Sequence, residues 1–520
     1  MTTAPRRLLF DALFEPGADP AWAARTAAIV DGKAYRYAEL VDAVQRLAAA
    51  LTARGVGRGD RVAIYMDNTW PCLVAILATL VAGGVFVVVN PLTKRDKLGF
   101  VLDDSGARVL ITDGHLAPEF LPLLPAHPAL HVIAPGTLPE GTTGIDSYAA
   151  VLARSTPCAA PAPAIALDLA ALIYTSGSTG APKGVMHTHQ SMLFAAQSLI
   201  QYLRLGADDR IVCALPLAFD YGLYQWLMTV QLGATLVLER SFAFPAKVFA
   251  RMVEFDATVF PGVPTIFAML LSAHRRERLC FPSVTRVTNT AAALPDEQAL
   301  RLREIFPNAL IYKMYGLTEC KRVCYLEPEL MEAKPGSVGK AIPGTEVFLR
   351  APNGGPVAPG AAGILHVRGP HVMLGYWNRP DLSAYMLVPG KLPGERVLCT
   401  HDWFRMDAEG FLYFVGRSDD IIKTRGEKVS PVEVENVLQA LDGVREAAVV
   451  GVPDELLGQA IHAYVVLEPD AALRPAQLRA YCLKHLESFM VPQQITPCAA
   501  LPRTQTGKVS RKALLEHPPV

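Results

Sequence analysis

Cys72 to Val89 reads CLVAILATLVAGGVFVVV, an apolar run broken only by Thr79 and by Gly83-Gly84. A run of this length either crosses a membrane or lies inside a core. Its internal texture points to a core. Leu, Ala and Ile dominate before the glycine pair and β-branched Val dominates after it. The pattern predicts a buried helix over 73–82 that turns into a buried strand over 86–90. A strand apolar on both faces belongs in a parallel sheet covered on both sides.

The neighbouring segments extend that reading. Leu40, Val41, Val44, Leu47, Ala48 and Leu51 recur at helical spacing, and Gly55 follows as a stop. RVAIYM (61–66) and RVLITD (108–113) predict strands, with a helix over 93–103 between them. A second series of the same kind runs through IVCAL, ATLVLE, ATVFPG, RVTNTA and ALIYKMYG. Between about Asn353 and Val415 the texture changes to short strands separated by Gly and Pro, which predicts a small antiparallel, barrel-like β unit. After Gly416, a helix over 431–440, the strands REAAVVGV and IHAYVVL, and a helix over 475–485 predict a compact α+β unit. The polar stretch GRSDDIIKTRGEK has the composition of a joint. The expected fold is therefore α/β: a large N-terminal domain (1–416) of two doubly wound subdomains plus the β unit, and a small α+β C-terminal domain (417–520).

Composition narrows the function classes. Lys+Arg and Asp+Glu both number 49, so the charge balance favours neither nucleic acid nor an anionic membrane. With 51% hydrophobic and 19% charged residues the chain is globular, and its 520 residues can bury several cores. Acidic residues interrupt the start before a signal-peptide core can form. Nine cysteines are scattered without CxxC or Cys/His ligand spacing, which predicts reduced thiols in a cytoplasmic protein and no structural zinc.

The strongest local chemical signal is LIYTSGSTGAPKG (172–184), an apolar strand entering a Ser/Thr/Gly loop that ends in Lys183. Such a loop offers N–H groups, hydroxyls and one ammonium to a polyphosphate. It is not a Walker loop, because Lys183 is followed by Gly184 and the spacing differs. Read alone, it is also compatible with a plain flexible surface loop.

This segment resembles the phosphate-binding signature of the adenylate-forming superfamily, which includes acyl-CoA synthetases, peptide-synthetase adenylation domains and luciferases. Four further segments match in order: YGLTE (315–319), HDWFRMDAEGFLYFVGR (401–417), SDDIIKTRGEKVSPVEVE (418–435) and LPRTQTGKVSRK (501–512). The resemblance spans nearly the whole chain. It implies two half-reactions: a carboxylate attacks the α-phosphate of ATP to give an acyl-adenylate and pyrophosphate, then a thiol attacks the mixed anhydride and releases AMP.

By that resemblance, Thr175, Ser176, Gly177, Ser178, Thr179, Gly180 and Lys183 hold the β/γ-phosphates, and Thr318 binds the α-phosphate. Glu319 helps ligate Mg²⁺, a hard cation suited to carboxylate oxygen. Tyr315 belongs to the nucleotide site, Asp402 accepts from the ribose hydroxyls, and Arg417 sits near ribose and phosphate. Lys508 is the expected catalytic lysine, bridging carboxylate and α-phosphate in the transition state. Without PRTQTG before it, Lys508 reads as one more cation in a basic tail. Asp419 matches the hinge, Gly426 a pantetheine tunnel, and Lys423 a supporting position in the same loop.

Two departures stand out. Ala291 and Ala292 replace glycines that pack against adenine, and the usual Thr-Gly-Asp reads Thr400-His401-Asp402. His401 reads as local variation and not as a new base.

The acid pocket is expected from Phe219, Asp220, Tyr224, Met314 and Arg322. Phe219 falls where many acyl-CoA synthetases carry histidine or an aromatic gate. Asp220 falls where amino-acid activators bind the substrate α-amino group. A buried Asp needs compensation, from a substrate ammonium or from Lys321 or Arg322. The leading expectation is a ligase loading a carboxylic acid onto a phosphopantetheine thiol, on CoA or a separate carrier protein. Other readings are a stand-alone amino-acid activator, an adenylating oxygenase or amide-forming ligase, and a non-catalytic nucleotide binder. Neither nucleic acid nor a membrane span is expected.

Overall fold

The computed structural model describes residues 6–15, 20–176, 182–290, 294–417, 420, 422–424, 427–454, 457–486, 488–504, 507–516 and 518. The apolar run folds as its texture requires: helix Trp70–Val81, buried from Cys72 onward, leads into strand Val85–Val89, buried throughout. That strand pairs in parallel with Arg61–Tyr65, which pairs in turn with Val109–Thr112. They are central strands of an eight-stranded sheet. Beyond Val85–Val89 the sheet continues with Leu169–Ser176, then turns antiparallel through Pro182–Thr188 to the edge strand Gly375–Tyr376.

The second series forms a second sheet. Thr235–Leu238, Arg210–Cys213, Val259–Gly262, Arg286–Asn289 and Leu310–Tyr315 are parallel neighbours. One feature adds to the expected order and one differs from it. Strand Thr26–Val30 joins this second sheet beside Thr235–Leu238, so the chain starts in one layer and crosses to the other. The antiparallel β unit starts at Cys324–Leu326, not near Asn353. Its hydrogen bonding is continuous with Leu310–Tyr315, so among the described residues the β unit extends the second sheet to fourteen strands. Strand propensity marks each segment but carries no information on which edge it extends.

The C-terminal part has a five-stranded sheet of its own with helices Pro431–Gln439 and Pro475–His485. Ile422, Val434, Leu438, Val449, Ile461 and Leu478 make a separate buried cluster. Arg275 pairs with Glu468 at 3.1 Å, tying this unit to helix Pro264–Glu277. Among the described residues no helix is long and apolar enough to cross a membrane. All nine cysteines are free thiols.

Candidate active site

Leu169–Ser176 and Pro182–Thr188 pair antiparallel, with Thr175 opposite Lys183. Lys183 is thus held on the second strand and not in the loop itself, which fixes its reach. Its Nζ donates to the Tyr376 hydroxyl (2.9 Å), which donates to Glu319 Oε1 (2.5 Å); Lys183 and Glu319 are 3.8 Å apart. Burial, then the Glu319 charge, holds the Tyr376 phenol well above its ordinary pKa, so it stays a donor. Thr175 Oγ1 is buried with no hydrogen-bond partner among the described residues. A hydroxyl in that state beside an ammonium and a carboxylate suits a phosphate chain with a hard cation.

Tyr376 was absent from the sequence reading, because GYW in a Gly/Pro-rich stretch has no periodicity. Replacing it with Phe leaves the Glu319 oxygen without its buried donor, a loss of about 1–3 kcal/mol. We expect kcat/KM for ATP to fall about tenfold or more in steady-state assays of Tyr376→Phe, with little change in the KM of the acid.

Asp402 on Arg396–Met406 stands opposite Arg417 on Leu412–Arg417. Tyr315 donates to Asp402 Oδ2 at 2.5 Å, and Arg417 Nε lies 3.6 Å from Oδ1. Burial raises the Asp402 carboxyl, while Arg417 and the Tyr315 bond oppose the rise. His401 has a left-handed backbone (φ 56) and its ring stacks on that of Tyr385 at 4.1 Å. It takes the conformation that a glycine would, as local variation implies.

The acid end is built where helix Asp220–Leu232 meets the loop after Glu319. Two glycines permit the approach. A Cβ on Gly222 would lie 2.3 Å from the Pro216 carbonyl oxygen, and one on Gly316 would lie 2.3 Å from that of Lys321. Lys321 itself is left-handed (φ 61), and the turn buries both Lys321 and Arg322. Lys321 Nζ is 3.5 Å from Asp220 Oδ2 and 4.5 Å from the centre of the Tyr224 ring. Met314 Sδ accepts from Tyr202 (2.9 Å), and half-buried Phe219 meets Tyr221 edge-on at 6.3 Å.

Burial pulls the Lys321 ammonium down to about 7; the Asp220 charge opposes the fall and Arg322 adds to it. The unfolded chain then binds this proton more tightly than the folded one, so stability rises with pH. The penalty is complete below about 7 and vanishes above the ordinary lysine value of 10.5. Urea midpoints of the wild type should climb between these limits. In Lys321→Met that climb should flatten.

Lys508, half-buried, lies in the field of Arg417, Asp220, Asp402 and Glu319. Burial lowers its pKa, and Arg417 adds to the fall while the carboxylates oppose it. The neighbouring Gly507 faces Thr265 at the start of helix Pro264–Glu277. His187, missed in the sequence, hydrogen-bonds the Thr318 carbonyl through Nε2 at 2.8 Å and so fixes that loop from below. The structure therefore links Lys183 with Glu319 and Asp402 with Arg417, and sets Lys508 in the field of Glu319, Asp402 and Arg417. Gly177, Ser178, Thr179, Gly180, Ala291, Ala292, Asp419 and Gly426 lie outside the described residues, as do the side chains of Ser176 and Lys423.

The AMP-binding enzyme family matches residues 19–377, and its C-terminal domain matches residues 433–508. The chain belongs to the AMP-binding enzyme family. It is 30% identical to a long-chain-fatty-acid–CoA ligase of Bacillus subtilis (strain 168), covering 95% of this chain and 92% of that protein. It is 33% identical to a benzoate–CoA ligase of Thauera aromatica, covering 94% and 92%. The crystal structure of ATP-bound MatB from Rhodopseudomonas palustris superposes with a TM-score of 0.88 at 28% identity, over 98% of this chain and 99% of that one. The adenylate-forming fold is thereby shown, with a large N-terminal and a small C-terminal domain.

Proposed function

We propose that this protein is an ATP-dependent, AMP-forming acid–thiol ligase, with residues 1–416 holding ATP and acid and residues 417–520 carrying the catalytic lysine. The observation that carries this reading is the half-buried Lys508 ammonium, brought by the C-terminal unit into the field of Asp220, Glu319, Asp402 and Arg417. In the first step a carboxylate oxygen of the acid forms a bond to the α-phosphorus of ATP and the bond to pyrophosphate breaks. Two anions approach there, and Lys508 offsets the charge between them. Lys183 with the Thr175 hairpin receives the β/γ-phosphates, Thr318 the α-phosphate, and Asp402 the ribose hydroxyls. Glu319 would hold Mg²⁺, which supplies charge neutralisation on the phosphates. In the second step a thiol sulfur attacks the acyl carbon, AMP leaves and the thiol proton is lost. Rotation about Asp419, with Gly426 lining the thiol path, is the proposed exchange between steps.

The acceptor we propose is the phosphopantetheine thiol of CoA, or of a separate carrier protein in the cytoplasm. Lys321 already compensates Asp220, which favours an acid without an α-amino group over an amino-acid substrate. Pyrophosphate release over a panel of acids, followed by thioester assays with CoA and with a carrier protein, tests the proposal. Acid-dependent release followed by CoA thioester is expected. No release with any acid would refute it.

A further inference from the structure

While Lys321 keeps its proton, charge in the buried layer around Asp220 does not balance. Asp220 supplies one negative charge; Lys321 and Arg322 supply two positive ones. Glu319 is taken up by Tyr376 and Lys183 on the phosphate side. The other titratable groups nearby add no anion. Burial holds the Tyr202, Tyr221 and Tyr224 phenols above their ordinary range, so they stay protonated. Burial lowers His187 and brings His371 to about 4, so both rings are neutral.

Arg322 is the unsatisfied member. It is 1% exposed. Its Nη1 donates to Thr290 Oγ1 and its guanidinium carbon lies 5.8 Å from the Tyr221 ring centre. Among the described residues its Nε is buried with no hydrogen-bond partner, and no carboxylate forms an ion pair with it. Lysine can escape such a site by losing its proton; arginine cannot. Leaving a guanidinium buried without an anion costs several kcal/mol, and a fork of N–H donors matches a carboxylate better than any neutral group.

The placement indicates what supplies the anion. Lys508, proposed to receive the reacting carboxylate, has Asp220 in its field; Asp220 pairs with Lys321; Arg322 follows Lys321 in the chain. These groups thus connect Lys508 to Asp220, Asp220 to Lys321 and, across the Tyr221 ring that both cations approach, Lys321 to Arg322. An alkyl tail placed along them would be buried against an uncompensated guanidinium. A substrate ammonium would meet Lys321 and Arg322, with the one carboxylate there already paired.

We propose that the acid this enzyme activates carries a second carboxylate, remote from the reacting one, and that Arg322 receives it. This rests on the ligase reading above and narrows it to dicarboxylic acids. The test uses linear and aromatic acids matched in length that end in methyl, carboxylate or ammonium, with α-amino acids as a further arm. The readout is kcat/KM for pyrophosphate release. Carboxylate-ended acids should exceed their methyl-ended counterparts by about 10²-fold or more, because a site built for a polar group rejects an analogue lacking it. Arg322→Met should drive that ratio towards one or invert it, and Arg322→Lys should restore part of it. The wild-type ratio decides even if the variants fail to fold. Preference for methyl or ammonium ends, or a ratio untouched in folded Arg322→Met, overturns the inference and leaves the ligase standing. No release in any arm removes the ligase reading and the inference with it.

Discussion

Lys508→Ala is expected to lower acid-dependent pyrophosphate release by about 10²–10³-fold, the usual loss when one preorganised charge is removed from a transition state. Thioester formation from acyl-adenylate supplied ready-made should fall far less, since no two anions meet in that step. Comparing the two rates in one preparation separates a lost catalytic group from a damaged fold. Lys508 lies in the field of residues that are distant in sequence and on different units: Arg417 and Asp402 on the β unit, Glu319 in the loop after Leu310–Tyr315, and Asp220 at a helix start. Equal loss in both half-reactions would mean that the ammonium props the cleft and does not stabilise the phosphorus-centred transition state.

Asp220→Ala should be the most destabilising single change near the site. It leaves Lys321, 3% exposed, beside Arg322, 1% exposed, without a carboxylate. Breaking a buried pair by removing one partner costs about 3–5 kcal/mol, a large share of a domain's stability. The double variant Asp220→Ala/Lys321→Met should recover most of the loss, because it removes the orphaned charge as well. Denaturant midpoints of the four proteins in the cycle check this. A single variant within about 1 kcal/mol of wild type would show that water or the remaining side chains satisfy Lys321.

Much of this was legible before any coordinates. The buried helix and strand around Gly83-Gly84 and the two parallel series follow from apolar texture, because a strand covered on both faces leaves an unbroken trace in sequence. Lys183, Glu319, Asp402 and Lys508 were reached through short motifs in order. What was not legible depends on contacts across the chain. Tyr376 matters because an edge strand brings it beside Pro182–Thr188, nearly two hundred positions earlier. The start of the β unit at Cys324 and the place of Thr26–Val30 are matters of pairing, on which composition is silent. Sequence leaves the partner of Asp220 open between a substrate ammonium, Lys321 and Arg322; the structure pairs it with Lys321, which stands in a left-handed turn.

The unbroken fourteen-stranded sheet has a mechanical consequence. The hairpin bearing Asp402, the strand leading to Glu319 and the strands under the acid site share one hydrogen-bonded lattice. The spacing between the Asp402 hairpin and the strand that leads to Glu319 is therefore set by backbone pairing, so substitutions of outward-facing side chains along these strands should leave it unchanged.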